Sequence, residues 1–284
     1  MKFNYKFDED GFSARYYQGK ASNTSILIIL STIRNDVIAK AFTEENMDTL
    51  ALDVIEPGRE VSLDDISFVA QTMHSQGYEH VGLWGWGFGG SIALSVASHY
   101  PDDIDLVIAV NPFHLLYQPL SIKPTSMTIL YKGLPLPLLK PETKMWKQVA
   151  REMKFSHEFH TVDRYEQCLA YGLKEEMIIP VENIQCPILL ISSQNDVVLP
   201  SEYACRQIVR RLQDSDYRYG ARHLQYQVVS HAIIPPKAFH KDHILYRRLF
   251  QIERNYPKHC HKAREDALQK NLAFINDKWP EANE

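Results

Sequence analysis

A cluster of glycines and two distant polar residues have the types and the order that acyl-transfer chemistry requires. The cluster is GWGFGG, residues 85–90, whose first and fifth residues match the glycines of a G-x-S-x-G turn. Such a turn presents a nucleophilic serine at its apex, and here the apex is Gly87. Asp196 and His231 follow in the chain order nucleophile, acid, histidine, so they are the candidate acid and base.

A glycine at the apex removes the nucleophile but not its surroundings. No acyl-enzyme forms without a side-chain nucleophile. Oxyanion donors are backbone amides, and we expect them from Phe88, directly after the apex, and from Thr32 or Ile33. Three explanations stay open: the natural protein lost the activity and kept the pocket, an original serine or cysteine was replaced experimentally, or a water above Gly87 is activated by the histidine. Of the three explanations, the activated water is the least favoured, because it places the greatest demand on the geometry of the pocket.

These residues require a sheet whose strand ends meet at one edge. The predicted strands are 25–31, 48–54, 80–85, 104–112, 186–196 and 225–231, after an N-terminal hairpin around Asp10 and Gly11. The predicted helices are 34–46, 62–77, 88–99, 201–213 and 262–279. This alternation predicts an α/β fold with a mostly parallel central sheet flanked by helices. The apex, the acid and the histidine then follow three strand ends on one rim.

The alternation is interrupted after the fourth predicted parallel strand. A proline-punctuated loop, YKGLPLPLLKPE, is followed by two helical patterns near 142–153 and 161–172. An insertion at this position would cover a site formed by the carboxyl ends of the strands. We therefore predict a helical lid over residues 113–183, inserted within a single domain that spans 1–284.

The chain resembles the α/β-hydrolase superfamily over roughly residues 20–255. Its second half is similar to the catalytic domain shared by acyl-CoA thioesterases and bile-acid-CoA:amino-acid N-acyltransferases, through SQNDVVLPSEYACRQIVRRLQ and SHAIIPP. This resemblance implies the acid and base named above and places the nucleophile on Gly87. The chain departs from the pattern at Ser230, where a glycine usually precedes the histidine, and at 32–34, which lack a glycine-rich oxyanion segment.

Composition excludes several other classes of function. The net charge of −4 gives no electrostatic reason to expect nucleic acid or a membrane surface as a partner. The four cysteines are scattered without a CxxC, which is typical of a reduced cytoplasmic protein. The N-terminus lacks an apolar signal segment. The histidines of SHEFH and HCH are interpreted as solvated residues, and the chemistry needs neither metal nor cofactor.

We predict an α/β-hydrolase-type protein that acts on small acyl esters or thioesters and is inactive or weak with glycine at position 87. The alternative is a catalytically inactive relative that binds a small apolar ligand in the lidded pocket. Trp86 and Phe88 flank the apex and either pack the turn or line an acyl pocket. The acyl chain length, the acceptor (water or an amine) and the oligomeric state stay open, and an oligomer is compatible with the sequence.

Overall fold

The computed structural model describes residues 3–19, 23–53, 60–119, 127–156 and 158–279. The strands are β1 (Asn4–Tyr5), β2 (Ala14–Tyr17), β3 (Ser25–Leu30), β4 (Asp48–Leu52), β5 (Glu60–Ser62), β6 (His80–Trp86), β7 (Leu106–Val110), β8 (Thr128–Tyr131), β9 (Leu134–Pro135), β10 (Ile188–Ser193) and β11 (Ala221–Tyr226). The helices are α1 (Phe7–Asp10), α2 (Asn35–Thr43), α3 (Leu63–Ser75), α4 (Phe88–His99), α5 (Thr143–Ser156), α6 (Val162–Gly172), α7 (Ser201–Asp214), α8 (Pro236–Lys241), α9 (His243–Leu249), α10 (Gln251–Asn255) and α11 (Pro257–Lys278).

Within the described ranges, eight strands form the main sheet in the order β1-β2-β4-β3-β6-β7-β10-β11. The six strands from β4 to β11 run parallel, whereas β1 and β2 are antiparallel to their neighbours. Helices lie on both faces, which confirms the predicted parallel α/β architecture. Because the central strands are parallel, their carboxyl ends meet along one edge of the sheet.

The central strands are aliphatic on both faces because helices cover both. In β3, Ile26, Ile28 and Leu30 pack into the core on one face of the sheet. Leu27 and Ile29 pack into the core on the other face. Complete burial of each such side chain contributes about 1.5–3 kcal/mol. The continuous apolar run in the sequence therefore indicates a strand that is buried on both faces.

The last strand of the main sheet is misplaced by the sequence prediction of 225–231. Strand β11 ends at Tyr226, and a turn carries the chain onward to His231. The apolar pair before the histidine belongs to that turn, where the carbonyl of Val229 accepts a hydrogen bond from Ser193 Oγ at 2.6 Å. The true strand has the polar sequence ARHLQY because it lies at the edge of the sheet and is half exposed.

Smaller differences between the sequence predictions and the structure lie outside the central strands. The N-terminal pair β1–β2 is connected through α1, a single helical turn that ends at Gly11 with φ of 80°. A second sheet, β5-β8-β9, is absent from the prediction, and two of its strands belong to the segment 113–183 beside the expected helices α5 and α6. Helix α11 begins at Pro257, earlier than expected. No helix among the described residues is long and apolar enough to span a membrane.

Candidate active site

The turn between β6 and α4 brings three backbone segments together at van der Waals distance. A Cβ at Gly85 would collide with the carbonyl oxygen of Gly89. A Cβ at Gly89 would collide with the carbonyl oxygen of Leu30, which belongs to the neighbouring strand β3. Both positions therefore require glycine, as the flanking positions of the predicted turn do.

The apex of this turn has the backbone conformation of a residue that presents its side chain to a pocket. Gly87 has φ of 58° and ψ of −118°, a region that L side chains rarely adopt. Its amide donates to the carbonyl of Val110 at 2.8 Å, which ties the apex to the end of β7. A Cβ built on Gly87 would lie 3.0 Å from Nε2 of His231. The glycine therefore stands where a side chain would face an imidazole.

The predicted acid and base are in contact. Nδ1 of His231 lies 2.8 Å from Oδ2 of Asp196, and the two side chains are 10% and 2% exposed. A carboxylate only accepts hydrogen bonds, so in the neutral imidazole Nδ1 carries the proton and Nε2 is left as the acceptor that faces the apex. This is the orientation that a general base needs toward a nucleophile at position 87.

The carboxylate of Asp196 is held by its own loop and by the helix that follows. Oδ1 accepts from the amides of Val198 and Leu199 at 2.9 and 3.1 Å. Oδ2 accepts from Ser201 Oγ at 2.7 Å, in addition to the imidazole. Four donors thus fix the plane of the carboxylate, which in turn fixes the ring of His231.

Asn111 connects the end of β7 with His231 directly and with Asp196 through Ser201. Its Nδ2 donates to the carbonyl of His231 at 2.7 Å. Its Oδ1 accepts from the amide of Ser193 at 2.9 Å and from Ser201 Oγ at 3.2 Å. The indole of Trp86 donates to the same His231 carbonyl at 2.8 Å. The histidine backbone is therefore anchored to two strand ends.

A buried ion pair supports the histidine loop from the C-terminal helices. Ser230 Oγ donates to Glu253 Oε1 at 2.7 Å. Glu253 receives two hydrogen bonds from Arg264, at 2.8 and 3.0 Å, and the side chains of this pair are 1% and 2% exposed. The Arg264 guanidinium also lies 3.4 Å from the ring centroid of Phe239. Ser230, which departs from the expected glycine, is thus the link between the histidine loop and this pair.

Two amides near the apex have room for an acceptor. Phe88 is the first residue of α4, and Thr32 lies in the loop after β3, so both face the same cavity. Neither amide donates a hydrogen bond to another group of the described residues. The amide of Ile33, in contrast, donates to Ser31 Oγ at 3.3 Å. Of the two predicted donors in this loop, only Thr32 therefore has a backbone amide that is left without an acceptor among the described residues.

The elbow cavity is the space above the apex, with a volume of about 230 Å³. Its lining residues are mostly aromatic or aliphatic: Thr32, Ile33, Trp86, Gly87, Phe88, Tyr117, Pro119, Phe159, Tyr165, Val198, Leu199, His231, Tyr246, Leu249 and Phe250. Trp86 and Phe88 both line the cavity, and each also packs into the buried core on its own face of the sheet, so the two predicted roles coexist; Trp86 also holds the histidine. Four lining residues come from segment 113–183. The cavity suits an apolar group.

Other polar and sulfur groups are placed away from this chemistry. The four cysteines are buried and free, and burial raises the pKa of each thiol. Ser91 Oγ, one helical turn after the apex, donates to the carbonyl of Phe113 at 3.0 Å and has a packing role. No group of three or more His, Cys, Asp or Glu side chains in the described ranges could hold a metal ion. His157 of SHEFH lies outside those ranges.

Three positioning residues escaped the sequence analysis. Asn111 follows β7 at the same rim as the acid and base, so its place at a strand end was the available signal. Arg264 lies on the buried side of α11 with Ala267 and Phe274, which marks it as a polar residue on an apolar stripe. Glu253 gave no signal of this kind, because α10 is a five-residue helix without a clear period.

The parallel sheet, the glycine turn and the acid–base pair on one rim define an α/β-hydrolase. Residues 64–278 match the family described as "BAAT / Acyl-CoA thioester hydrolase C terminal". Since this match covers most of the chain, the protein belongs to that family. A direct sequence comparison with curated proteins finds no significant match.

Solved structures with the same fold include one carboxylesterase and two peptidases. A carboxylesterase from Lactobacillus plantarum superimposes with a TM-score of 0.55 at 11% identity, over 94% of this chain and 93% of that one. A puromycin-hydrolyzing peptidase from Mycobacterium tuberculosis gives 0.55 at 12% identity, over 95% of this chain and 37% of that one. An acylaminoacyl peptidase from Pyrococcus horikoshii gives 0.51 at 10% identity, over 96% and 40%. The chain thus spans less than half of either peptidase, and these similarities concern the fold.

Proposed function

We propose that this protein carries an acyl ester or thioester hydrolase site whose acid, base and oxyanion donors are assembled and whose nucleophile is missing. The observation that carries the proposal is the position of His231. Its Nδ1 is bound to Asp196 at 2.8 Å, while its Nε2 lies 3.0 Å from the place of a Cβ on Gly87. An imidazole in a merely structural role has no reason to face the empty apex of a G-x-S-x-G turn.

With a serine or cysteine at position 87, each group has a defined task. His231 Nε2 takes the proton of the nucleophile, whose Oγ or Sγ attacks the carbonyl carbon. The amides of Phe88 and Thr32 donate to the resulting oxyanion. The imidazolium then protonates the departing alcohol or thiol, and water releases the acyl group by the same route in reverse. Asp196 keeps the ring in one orientation throughout.

The volume and the lining of the elbow cavity determine the length and polarity of the acyl group that we propose. Its volume of about 230 Å³ lies below the range of roughly 300–1,000 Å³ that is usual for ligand pockets. Its wall is apolar apart from Thr32, His231 and the three tyrosines Tyr117, Tyr165 and Tyr246. A short acyl chain fits such a space, and a long fatty acyl chain requires segment 113–183 to move as a lid. The protein as given would bind this acyl group and hydrolyse its esters weakly or not at all.

The test compares the given chain with Gly87→Ser and Gly87→Cys on two substrate series, p-nitrophenyl esters from acetate to octanoate and the matching acyl-CoA thioesters. We expect turnover in the Ser or Cys variant only, with the shorter chains preferred. The control is Gly87→Ser combined with His231→Ala, which keeps the hydroxyl and removes the base. Activity that is equal in the control and in Gly87→Ser contradicts the proposed roles.

A second function is favoured by the glycine itself. An apolar cavity above a side-chain-free apex can hold a small ligand without reacting with it. In this case folded Gly87→Ser and Gly87→Cys proteins stay inactive on both series, while the given chain binds the short-chain acid products. A His231-dependent activity of the given chain would instead indicate an activated water.

A further inference from the structure

Exposed aliphatic side chains border the opening of the elbow cavity. Ile33 lines the cavity and is 50% exposed, so the cavity reaches solvent beside this side chain. Ile244 and Leu245 of helix α9 are 74% and 48% exposed. We call these three residues the mouth patch. Single exposed apolar residues are common on protein surfaces, but a group of them around an opening indicates a binding surface.

Two connections place the residues of the mouth patch next to one another. Arg34 directly follows the isoleucine of the loop after β3, and it forms an ion pair with Asp242, which directly precedes α9. Leu245 lies one helical turn before Leu249, which lines the elbow cavity, so the two leucines share one side of α9. The patch therefore borders the cavity from both the loop and the helix.

Positive charge is concentrated beside the mouth patch. The segment 236–249, which contains α8 and α9, carries four Lys and Arg residues and one carboxylate, on a chain whose net charge is −4. Lys241 precedes Ile244 by three positions, and Arg247 follows it by three, so both flank the patch. Both side chains belong to exposed residues. The net charge of the whole chain conceals this local excess.

The carboxylates near this segment are already paired with other cations. Asp242 pairs with Arg34, and Glu44, directly after α2, pairs with Lys237. Glu253 is buried and pairs with a buried arginine of α11. Neither Lys241 nor Arg247 forms an ion pair with a carboxylate of the described residues, so the border of the mouth patch keeps its positive charge.

An apolar patch with a positive border matches the surface of an anionic lipid bilayer. Aliphatic side chains enter the boundary between headgroups and acyl chains, while Lys and Arg are attracted to the anionic headgroups. A soluble apolar ligand would leave the cations unused. A protein partner usually requires about 800 Å² on each side, from roughly 20–30 residues, which is far more than the mouth patch provides.

We propose that this protein docks on anionic lipid bilayers through the mouth patch and the flanking cations of α8 and α9. In the docked position the opening of the elbow cavity faces the lipid. An apolar group can then pass between the bilayer and the cavity without crossing water. The inference stands independently of the proposed hydrolase function, because it concerns binding by the chain as given.

Co-sedimentation of the given chain with vesicles tests the proposal. One set of vesicles is pure phosphatidylcholine, and the other contains phosphatidylserine at roughly one lipid in three. We expect binding to the anionic vesicles at about 0.1 M salt. Binding should fall by at least about tenfold on pure phosphatidylcholine, or at about 1 M salt, where the Debye length shortens from about 10 Å to about 3 Å.

A double variant tests the apolar part of the surface. Ile244→Ser/Leu245→Ser should weaken binding to the anionic vesicles by about tenfold or more, because two aliphatic side chains no longer enter the bilayer. The matched control is Leu134→Ser/Leu173→Ser, since these side chains are 70% and 44% exposed and do not line the elbow cavity. The control should bind like the given chain.

A second double variant tests the charges. Lys241→Gln/Arg247→Gln should weaken binding by about 25-fold, at roughly fivefold for each cation removed from the bilayer surface. The matched control is Lys262→Gln/Lys270→Gln on α11, which changes the net charge equally at exposed positions outside 236–249. This control should retain most of the binding.

A fluorescent label measures insertion without removing any cation. The four native cysteines are buried, so a cysteine introduced by Ile244→Cys can be labelled selectively with an environment-sensitive dye. We expect the emission of this label to shift to the blue on the anionic vesicles. The same label introduced by Leu134→Cys should not shift.

The proposal is overturned if the given chain binds neither kind of vesicle, if it binds both equally, or if the control variants lose as much binding as the test variants. Sedimentation velocity without vesicles examines the competing occupant, a second copy of this chain. A dimer that Ile244→Ser/Leu245→Ser dissociates, together with an unshifted label at position 244, would assign the mouth patch to self-association and would also overturn the proposal.

Discussion

Substituting serine or alanine for Gly87 separates the cost of the apex conformation from the benefit of a hydroxyl. Both variants gain the same Cβ in the same strained backbone, at φ of 58°. Such a conformation costs a non-glycine residue about 1–3 kcal/mol. The Cβ also lies 3.0 Å from His231 Nε2, so the imidazole must withdraw by a few tenths of an ångström in both variants.

The two variants differ by one oxygen atom. In Gly87→Ser, the Oγ hydroxyl donates to the unprotonated Nε2 of His231, and such a hydrogen bond contributes about 0.5–1.5 kcal/mol. Gly87→Ala should therefore be destabilised by about 1–3 kcal/mol, and Gly87→Ser by about 1 kcal/mol less. For a chain of this size, each kcal/mol lowers the melting temperature by roughly 2–4 °C.

The assay combines urea denaturation of both variants with esterase kinetics on p-nitrophenyl butyrate. General-base activation contributes about 10²–10⁴ to a rate, so kcat/KM of Gly87→Ser should exceed that of Gly87→Ala by at least about 100-fold. Repeating both substitutions in a His231→Ala background completes a double-mutant cycle. There the stability difference between serine and alanine should vanish.

Equal stability of the serine and alanine variants in the presence of His231, together with equal kcat/KM, would refute the reasoning. It would mean that the hydroxyl does not reach Nε2. Equal stability with a large rate difference would retain the catalytic roles and show that the hydrogen bond forms only with substrate bound.

Three further results follow from buried groups. Burial lowers the pKa of His114 to about 4. As the pH falls, the unfolded chain therefore takes up the proton first, and the free energy of unfolding should fall by about 3 kcal/mol between pH 6.5 and pH 4. In acid-denaturation curves, His114→Phe should abolish this loss. Glu253→Gln leaves the buried Arg264 charge unpaired and should cost about 3–5 kcal/mol in chemical denaturation, since both side chains are almost fully buried. Burial raises the pKa of the Cys186 and Cys205 thiols, so both should resist iodoacetamide at pH 7.5 and react once the chain is unfolded in guanidinium.

The sequence predicted the limits of a strand accurately where the strand is buried on both faces, and poorly where it is exposed or very short. Apart from Ser25, the sequences of β3 and β7 are apolar throughout, and their limits were predicted within two residues because each strand is covered on both faces. Strand β11 was misplaced because an edge strand carries polar residues and the apolar pair beside it packs in a turn. The small sheet β5-β8-β9 is built from strands of two to four residues, too short to establish a period of two.

The sequence by itself determined the class of fold, the glycine turn, and Asp196 and His231 as the pair to examine, because buried parallel strands and chain order are local patterns. Only the tertiary structure decided that Nε2 faces position 87, and that Asn111 and the Glu253–Arg264 pair hold the histidine loop. The physical reason is distance along the chain. Asp196 and His231 are separated by 35 residues, and Asn111 and His231 by 120, so their hydrogen bonds exist only once the strand ends have been brought together by folding.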